Sequence, residues 1–211
     1  MLGRQVVQYV HRHRSRRLHP FLNLFCILTF EVHLPTDTYS RFRDIPQLTA
    51  NGRYSVDLSW GDLFEDLARW ERAPGGVEYE PDFQRGHVWS EGQQVAFVEF
   101  ALRGGLDRSS RHLLFNCVDW DGDCKSPIQL VDGLQRLTAT KAFLSGKIRA
   151  FGRRYHEFQD RLPRSIRFTA HVNDLPTRSA VLNWYLELNA GGIAHSPEEI
   201  ERVRELLHQA S

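Results

Sequence analysis

Asp132, Gly133, Gln135 and Arg136 fall within five residues, at the end of the apolar run Pro127-Ile128-Gln129-Leu130-Val131. An acid, a glycine, an amide and a guanidinium delivered to one corner could hold a phosphate or another anion. Carboxylates and arginines are seldom fully buried unless paired, so a buried strand that runs into them implies partners or a ligand. Glycine at a strand-to-helix junction permits positive φ or close approach of the backbone to a ligand. A helix that begins there points its unpaired N–H groups at the corner, where anions bind. The same residues also read as a plain tight turn closed by an Asp–Arg pair.

Two further clusters break the local pattern: Gln84-Arg85 with His87 and Trp89, and Asn189 with Gly191-Gly192. Each stands at the entry or exit of an expected helix, where arginines and glycines suit a phosphate-bearing ligand. Each residue has a structural alternative. Arg85 and Arg136 can pair with Asp82 or Asp132, Asn189 can cap a helix C-terminus, and Trp89 can anchor the core rather than stack on a base. His87 reads as a hydrogen-bonded structural histidine or as a general base. Asp119, Asp121 and Asp123 alternate like a calcium loop, but the terminal bidentate Glu is missing at the required distance, and a polar hairpin tip is the better reading.

The elements that must position these groups follow from periodicity and caps. Ser59-Trp60-Gly61-Asp62 predicts an N-cap, followed by a helix with Leu63, Leu67 and Trp70 in a stripe that Phe64 and Ala68 broaden. Ala73-Pro74-Gly75-Gly76 stops that helix, and Val77-Glu78-Tyr79 is a short strand candidate. Ser90-Glu91-Gly92-Gln93 has a capping-box pattern. The helix it opens carries Val95, Phe97, Val98, Ala101 and Leu102 and is so apolar all round that it is expected in the middle of the domain. Leu113–Val118 and Pro127–Val131 read as a hairpin around the 119–126 turn. Leu134, Leu137, Thr140 and Leu144 share one side of the helix after Gly133, and Gly146 closes it. Ile166–Val172 reads as a strand. Leu182, Tyr185, Leu186 and Asn189 are in helical register, and Ser196-Pro197-Glu198-Glu199 opens a last helix.

A chain of 211 residues, 41% hydrophobic and 25% charged, suits one soluble domain with a sizeable core. The net charge of +1 gives no global pull toward nucleic acid or membrane, so any anion site is local. Of 27 basic residues only Lys125, Lys141 and Lys147 are lysines, a bias toward forked pairing with carboxylate or phosphate. Three cysteines without repeated spacing suggest reduced thiols in a cytoplasmic protein. Residues 1–35 differ in character. A basic stretch, His11 to Arg17, and the apolar run Phe21 to Phe30 leave three options: a packed segment, a degenerate signal, or a start assigned too far upstream. The apolar run is about half a bilayer span, so no transmembrane helix is expected.

The order PDFQRGHVWSEGQQ, then LVDGLQRLTA, then LELNAGG and SPEEI, spanning most of the chain, resembles the family named for the GmrS-like N-terminal half of GmrSD-type modification-dependent restriction enzymes. The resemblance implies a prokaryotic or phage protein with a ParB/sulfiredoxin-like fold: an α/β (mixed α+β) domain over 36–211, with a small mixed sheet, packed helices and a helical C-terminal portion. The family's usual corner is Asp-Gly-Gln-Gln-Arg, associated with binding and hydrolysis of nucleotides. Here Asp132, Gly133, Gln135 and Arg136 match it, while Leu134 stands where glutamine is common, and the HNH-type nuclease half is not seen.

The implied mechanism has Arg85 and Arg136 clamping the phosphates of a nucleoside triphosphate, with Gln84 beside them. Asp132 orients a Mg²⁺-bound or attacking water, and Gln135 positions that water. Asn189, Gly191 and Gly192 line the opposite wall. The alternative is a non-catalytic module associated with DNA or with a separate nuclease subunit. The near-neutral charge favours the subunit over unassisted DNA binding.

Overall fold

The computed structural model describes residues 39–41, 45, 54–190 and 197–210. The expectations for 1–35, and those for Gly191 and Gly192, lie outside the described residues. Everything below concerns the unit that runs from Ile45 onward.

Five strands form one mixed sheet: β1 (Tyr54–Ser59), β2 (Val77–Glu78), β3 (His112–Asn116), β4 (Ile128–Asp132) and β5 (Arg167–Asn173), in the order β1-β5-β3-β4-β2. β1 is antiparallel to β5, β5 parallel to β3, β3 antiparallel to β4, and β4 parallel to β2. The β3–β4 hairpin is the one expected around the 119–126 turn. Asp119 closes its tip: its carboxylate accepts the Lys125 amide at 2.7 Å and the Ser126 amide at 3.1 Å. Burial pushes the Asp119 carboxyl up, but these amides outweigh it and hold the pKa below the ordinary carboxylate value. Asp119 therefore serves the turn, and Asp123 pairs with Lys125 at 2.7 Å.

Helices cover both faces of the sheet. On one side α1 (Leu63–Glu71), α2 (Glu91–Leu102) and α4 (Leu134–Leu144) pack onto Leu58, Leu113, Phe115, Ile128, Leu130 and Phe168. On the other, α5 (Arg178–Ala190) and α6 (Pro197–Ala210) bring Val181, Leu182, Tyr185 and Val203 against Val131 and Leu114. A short helix, α3 (Arg108–Arg111), leads into β3. Each fully buried leucine or phenylalanine in these layers contributes about 1.5–3 kcal/mol. Asn116 ties the second layer down, because its amide both donates to the Leu175 carbonyl (3.3 Å) and accepts the Leu175 amide (2.9 Å).

Two expectations need correction. Ser59 does not cap α1. It remains in β1 opposite Arg167, and the Trp60 amide still donates to the Ile166 carbonyl. Strand pairing thus carries the chain past Ser59, and α1 starts after Asp62 without a side-chain cap. Nor is α2 central. Of its residues only Val98 and Ala101 are buried and Phe100 is 51% exposed, so the helix buries one stripe from the outside of its layer. Its capping box is present as expected: the Ser90 hydroxyl accepts the Gln93 amide, and the Gln93 side chain accepts the Ser90 amide.

Candidate functional site

The corner begins with an irregularity in the β3–β4 pairing. Leu114 faces Asp132 and Phe115 faces Leu130, leaving Val131 as the extra residue of a bulge. A bulge re-aims the side chains that follow it. Leu130 goes into the layer of α1, α2 and α4 and Val131 into the layer of α5 and α6, as strand alternation dictates, while the bulge shifts the register so that the next residue meets Leu114. Asp132 is thereby delivered to the strand's end, facing Leu114, with its carboxylate half exposed.

Gly133 is the N-cap of α4 at φ 109°, a conformation that L side chains resist. It is also crowded, since a Cβ would stand 2.5 Å from Leu113 Cδ2. Glycine is thus required twice, by backbone conformation and by packing. With no side-chain cap and no acid in the first turn, the first amides of α4 remain available.

Arg136 comes back one turn later. Its Nη2 donates to Asp132 Oδ2 at 2.7 Å and to the His112 carbonyl at 2.9 Å. Its Nε is buried and has no hydrogen-bond partner among the described residues. The ion pair expected as the structural alternative therefore exists and leaves part of the guanidinium unspent. Arg85 pairs with Glu199 of α6 at 3.5 Å rather than with Asp82, which instead binds Arg178 at 2.5 Å.

The loop bearing Gln84 and Arg85 is held from three helices. Phe83 is buried edge-on against Tyr185 of α5, with ring centroids 5.2 Å apart. Burial pushes the Tyr185 hydroxyl's pKa up, and a hydrogen bond to the Arg85 backbone partly offsets this. Arg202 of α6 donates to the Gln84 carbonyl at 3.4 Å, and the Gln84 side chain donates to the Leu130 carbonyl at 3.4 Å. From α4, Gln135 Oε1 accepts the amides of Val88 (3.0 Å) and Trp89 (3.2 Å), and its Nε2 donates to the Gly86 carbonyl (3.1 Å). The amide assigned by resemblance to an attacking water is thus spent at both ends on the loop.

All the described site residues expected from the sequence line one small cavity of about 110 Å³: Gln84, Arg85, Asp132, Gly133, Gln135, Arg136 and Asn189. Asn189 lies within α5, where its Nδ2 donates to the Tyr185 carbonyl at 2.7 Å. It neither ends the helix as a left-handed cap nor leaves its whole amide for a ligand. Trp89 reaches the cavity but packs on Phe97 and the core, the anchor reading. His87 lies in a neighbouring cleft, where Gln94 donates one amide proton to its Nε2 (3.0 Å) and the other to the Trp89 carbonyl (3.2 Å).

Such a cavity, with two arginines, free helix amides and one carboxylate, suits an anion of phosphate size. It is well below the roughly 300–1,000 Å³ of pockets that enclose whole small molecules. As for metals, no group of three or more His, Cys, Asp or Glu side chains is placed to hold an ion among the described residues. Asp132 is the cavity's single carboxylate and shares one oxygen with Arg136, so a Mg²⁺ there would need phosphate oxygens and water to complete its shell. Cys117 and Cys124 are free thiols, and burial pushes Cys117 up to about 12, making it inert at neutral pH. No described helix is long and apolar enough to cross a membrane.

What sequence reasoning missed are the bulge at Val131, the loop clamp made by Gln135, and the Arg85–Glu199 pair. No family model matches the chain, and no curated protein or solved structure matches it either.

Proposed function

We propose that the corner at Asp132, Gly133 and Arg136, with Gln84, Arg85 and Asn189 facing it, binds the phosphates of a nucleoside triphosphate. The finer fold reading goes with it: a ParB/sulfiredoxin-like domain related to the GmrS-like half of modification-dependent restriction systems, resting on the order of the three motifs. The observation that carries the proposal is the cavity itself, lined by Arg85, by the start of α4 and by Arg136, which bonds its partners among the described residues through Nη2 alone. Each charge-assisted contact to a phosphate oxygen is worth about 1.5–3 kcal/mol. The nucleoside extends outside the cavity, because its volume suits phosphate alone.

In this reading Arg136 binds phosphate while Asp132 fixes its orientation, and Gln135 holds the loop that presents Arg85. A Mg²⁺ brought with the nucleotide would neutralise phosphate charge, with Asp132 as its one protein carboxylate. With Gln135 engaged, only Asp132 is left to orient a water, which favours binding over fast hydrolysis. That engagement also supports a second reading: a non-catalytic module that uses the same arginines for DNA or a nuclease subunit.

The test is calorimetric binding of each common nucleoside triphosphate, with and without Mg²⁺, beside phosphate release, for the wild type and Arg136→Ala. Binding and release both lost in the variant identify a hydrolytic site. Binding without release, also lost in the variant, identifies a nucleotide-sensing module. If the folded protein shows neither, and salt-dependent DNA retention or capture of a nuclease subunit appears instead, the second reading replaces the first.

A further inference from the structure

Beside the corner, and sharing only Leu134 with it, lies a larger cleft of about 640 Å³. That volume falls within the roughly 300–1,000 Å³ typical of sites for whole small molecules. One side of α4 forms its wall through Leu134, Leu137, Thr138, Lys141 and Ser145, at helical spacing. Leu134, Leu137 and Ile148 are buried and supply an apolar floor. Phe64 stands at its edge 46% exposed, although it belongs to the apolar stripe of α1.

The charges of the cleft are unevenly set. Lys141 is half-buried, with its ammonium 4.4 Å from the centre of the Tyr79 ring. Neither Lys141 nor Lys147 has a carboxylate partner among the described residues, and these are two of the chain's three lysines. The two carboxylates of the cleft, Glu80 and Glu91, lie in exposed residues. An ammonium held on an aromatic face, with no carboxylate partner among the described residues, favours an incoming anion.

We propose that this cleft is a binding site, separate from the corner, for an organic anion with a flat apolar body. The acidic group meets Lys141, and the body lies on Phe64, Leu137 and Ile148. An aromatic carboxylate or sulfonate has the required chemistry.

The probe for the test is anilinonaphthalene sulfonate, followed by its fluorescence in titrations of the full chain, with near-UV circular dichroism to verify the fold of each variant. The wild type is expected to bind it saturably. Lys141→Gln is expected to weaken binding about tenfold, the least that losing one charge-assisted contact costs. Lys141→Arg keeps the cation and is expected to retain most of the affinity, while Phe64→Ala weakens it. N-phenylnaphthylamine, the same body without the sulfonate, is expected to bind more weakly and to ignore Lys141→Gln. Tripolyphosphate, which has no flat body, is expected to leave the probe bound. The proposal is overturned by absence of saturable binding, by equal affinity in Lys141→Gln, or by displacement with tripolyphosphate.

Discussion

Gly133 lies so close to Leu113 that a methyl group on its Cα would come within 2.5 Å of Leu113 Cδ2. Gly133 is the one residue between the end of β4 at Asp132 and the start of α4 at Leu134. Gly133→Ala carries two penalties, the strained φ of 109° and the clash, and is expected to destabilise the protein by at least about 2 kcal/mol. Leu113→Ala removes only the clash. In urea titrations, Gly133→Ala should therefore cost less in a Leu113→Ala background than alone, and equal costs would show that packing plays no part.

Gln135 is the second joint of the corner. Its three bonds to the backbone of Gly86, Val88 and Trp89 hold the segment that follows Arg85. Gln135→Ala is expected to speed hydrogen exchange of the Val88 and Trp89 amides, with about 1–2 kcal/mol lost overall. Unchanged exchange at both amides would refute the clamp.

Much of this arrangement was legible in the sequence, for identifiable reasons. The apolar run to Val131, the glycine and the apolar spacing after it specified the β4–α4 junction, and the Ser90 capping box specified the start of α2. The bulge at Val131 was not legible, because it is a shift in the pairing register with β3, and an apolar run carries no mark of how it will be registered against its partner. The misplaced cap at Ser59 has a related cause: local capping chemistry loses to strand pairing with Arg167, which is distant in sequence. Residue types nominated Gln135 for the site, but its engagement depends on a loop some 47 residues away.

Asn116 offers a test of the second layer. Its paired bonds to Leu175 are buried, and Leu175 leads into α5, which carries Tyr185 and Asn189. Asn116→Leu leaves the Leu175 amide and carbonyl unsatisfied and is expected to cost about 2–4 kcal/mol by thermal or urea unfolding. A near-neutral result would mean that the segment reorganises without the clamp.

His171 gives the fold a dependence on pH. Burial, and then the neighbouring His112 whose ring centroid is 4.5 Å away, hold its pKa below the ordinary histidine value. Its Nδ1 meets the Ser55 hydroxyl at 2.7 Å, whereas Nε2 is buried without a partner among the described residues. The unfolded chain takes up this proton near pH ~6.5 and the folded chain only at lower pH. Between those two values the unfolded state binds more protons, so stability rises with pH there. The contribution of His171 is therefore present above pH ~6.5 and declines as the pH falls below it. Urea midpoints are expected to drop across that range in the wild type and to drop less in His171→Gln, and identical slopes would contradict the assignment.

The most direct test of the central claim is calorimetric titration of ATP, with Mg²⁺, into the wild type and Arg136→Gln at matched ionic strength. The place of Arg136 in the cavity wall, with only Nη2 spent on partners among the described residues, predicts measurable binding to the wild type and affinity at least about tenfold weaker in the variant, with the fold retained. Equal affinity in a folded Arg136→Gln protein, or no binding to the wild type by any of the common nucleoside triphosphates, would contradict the phosphate-binding account.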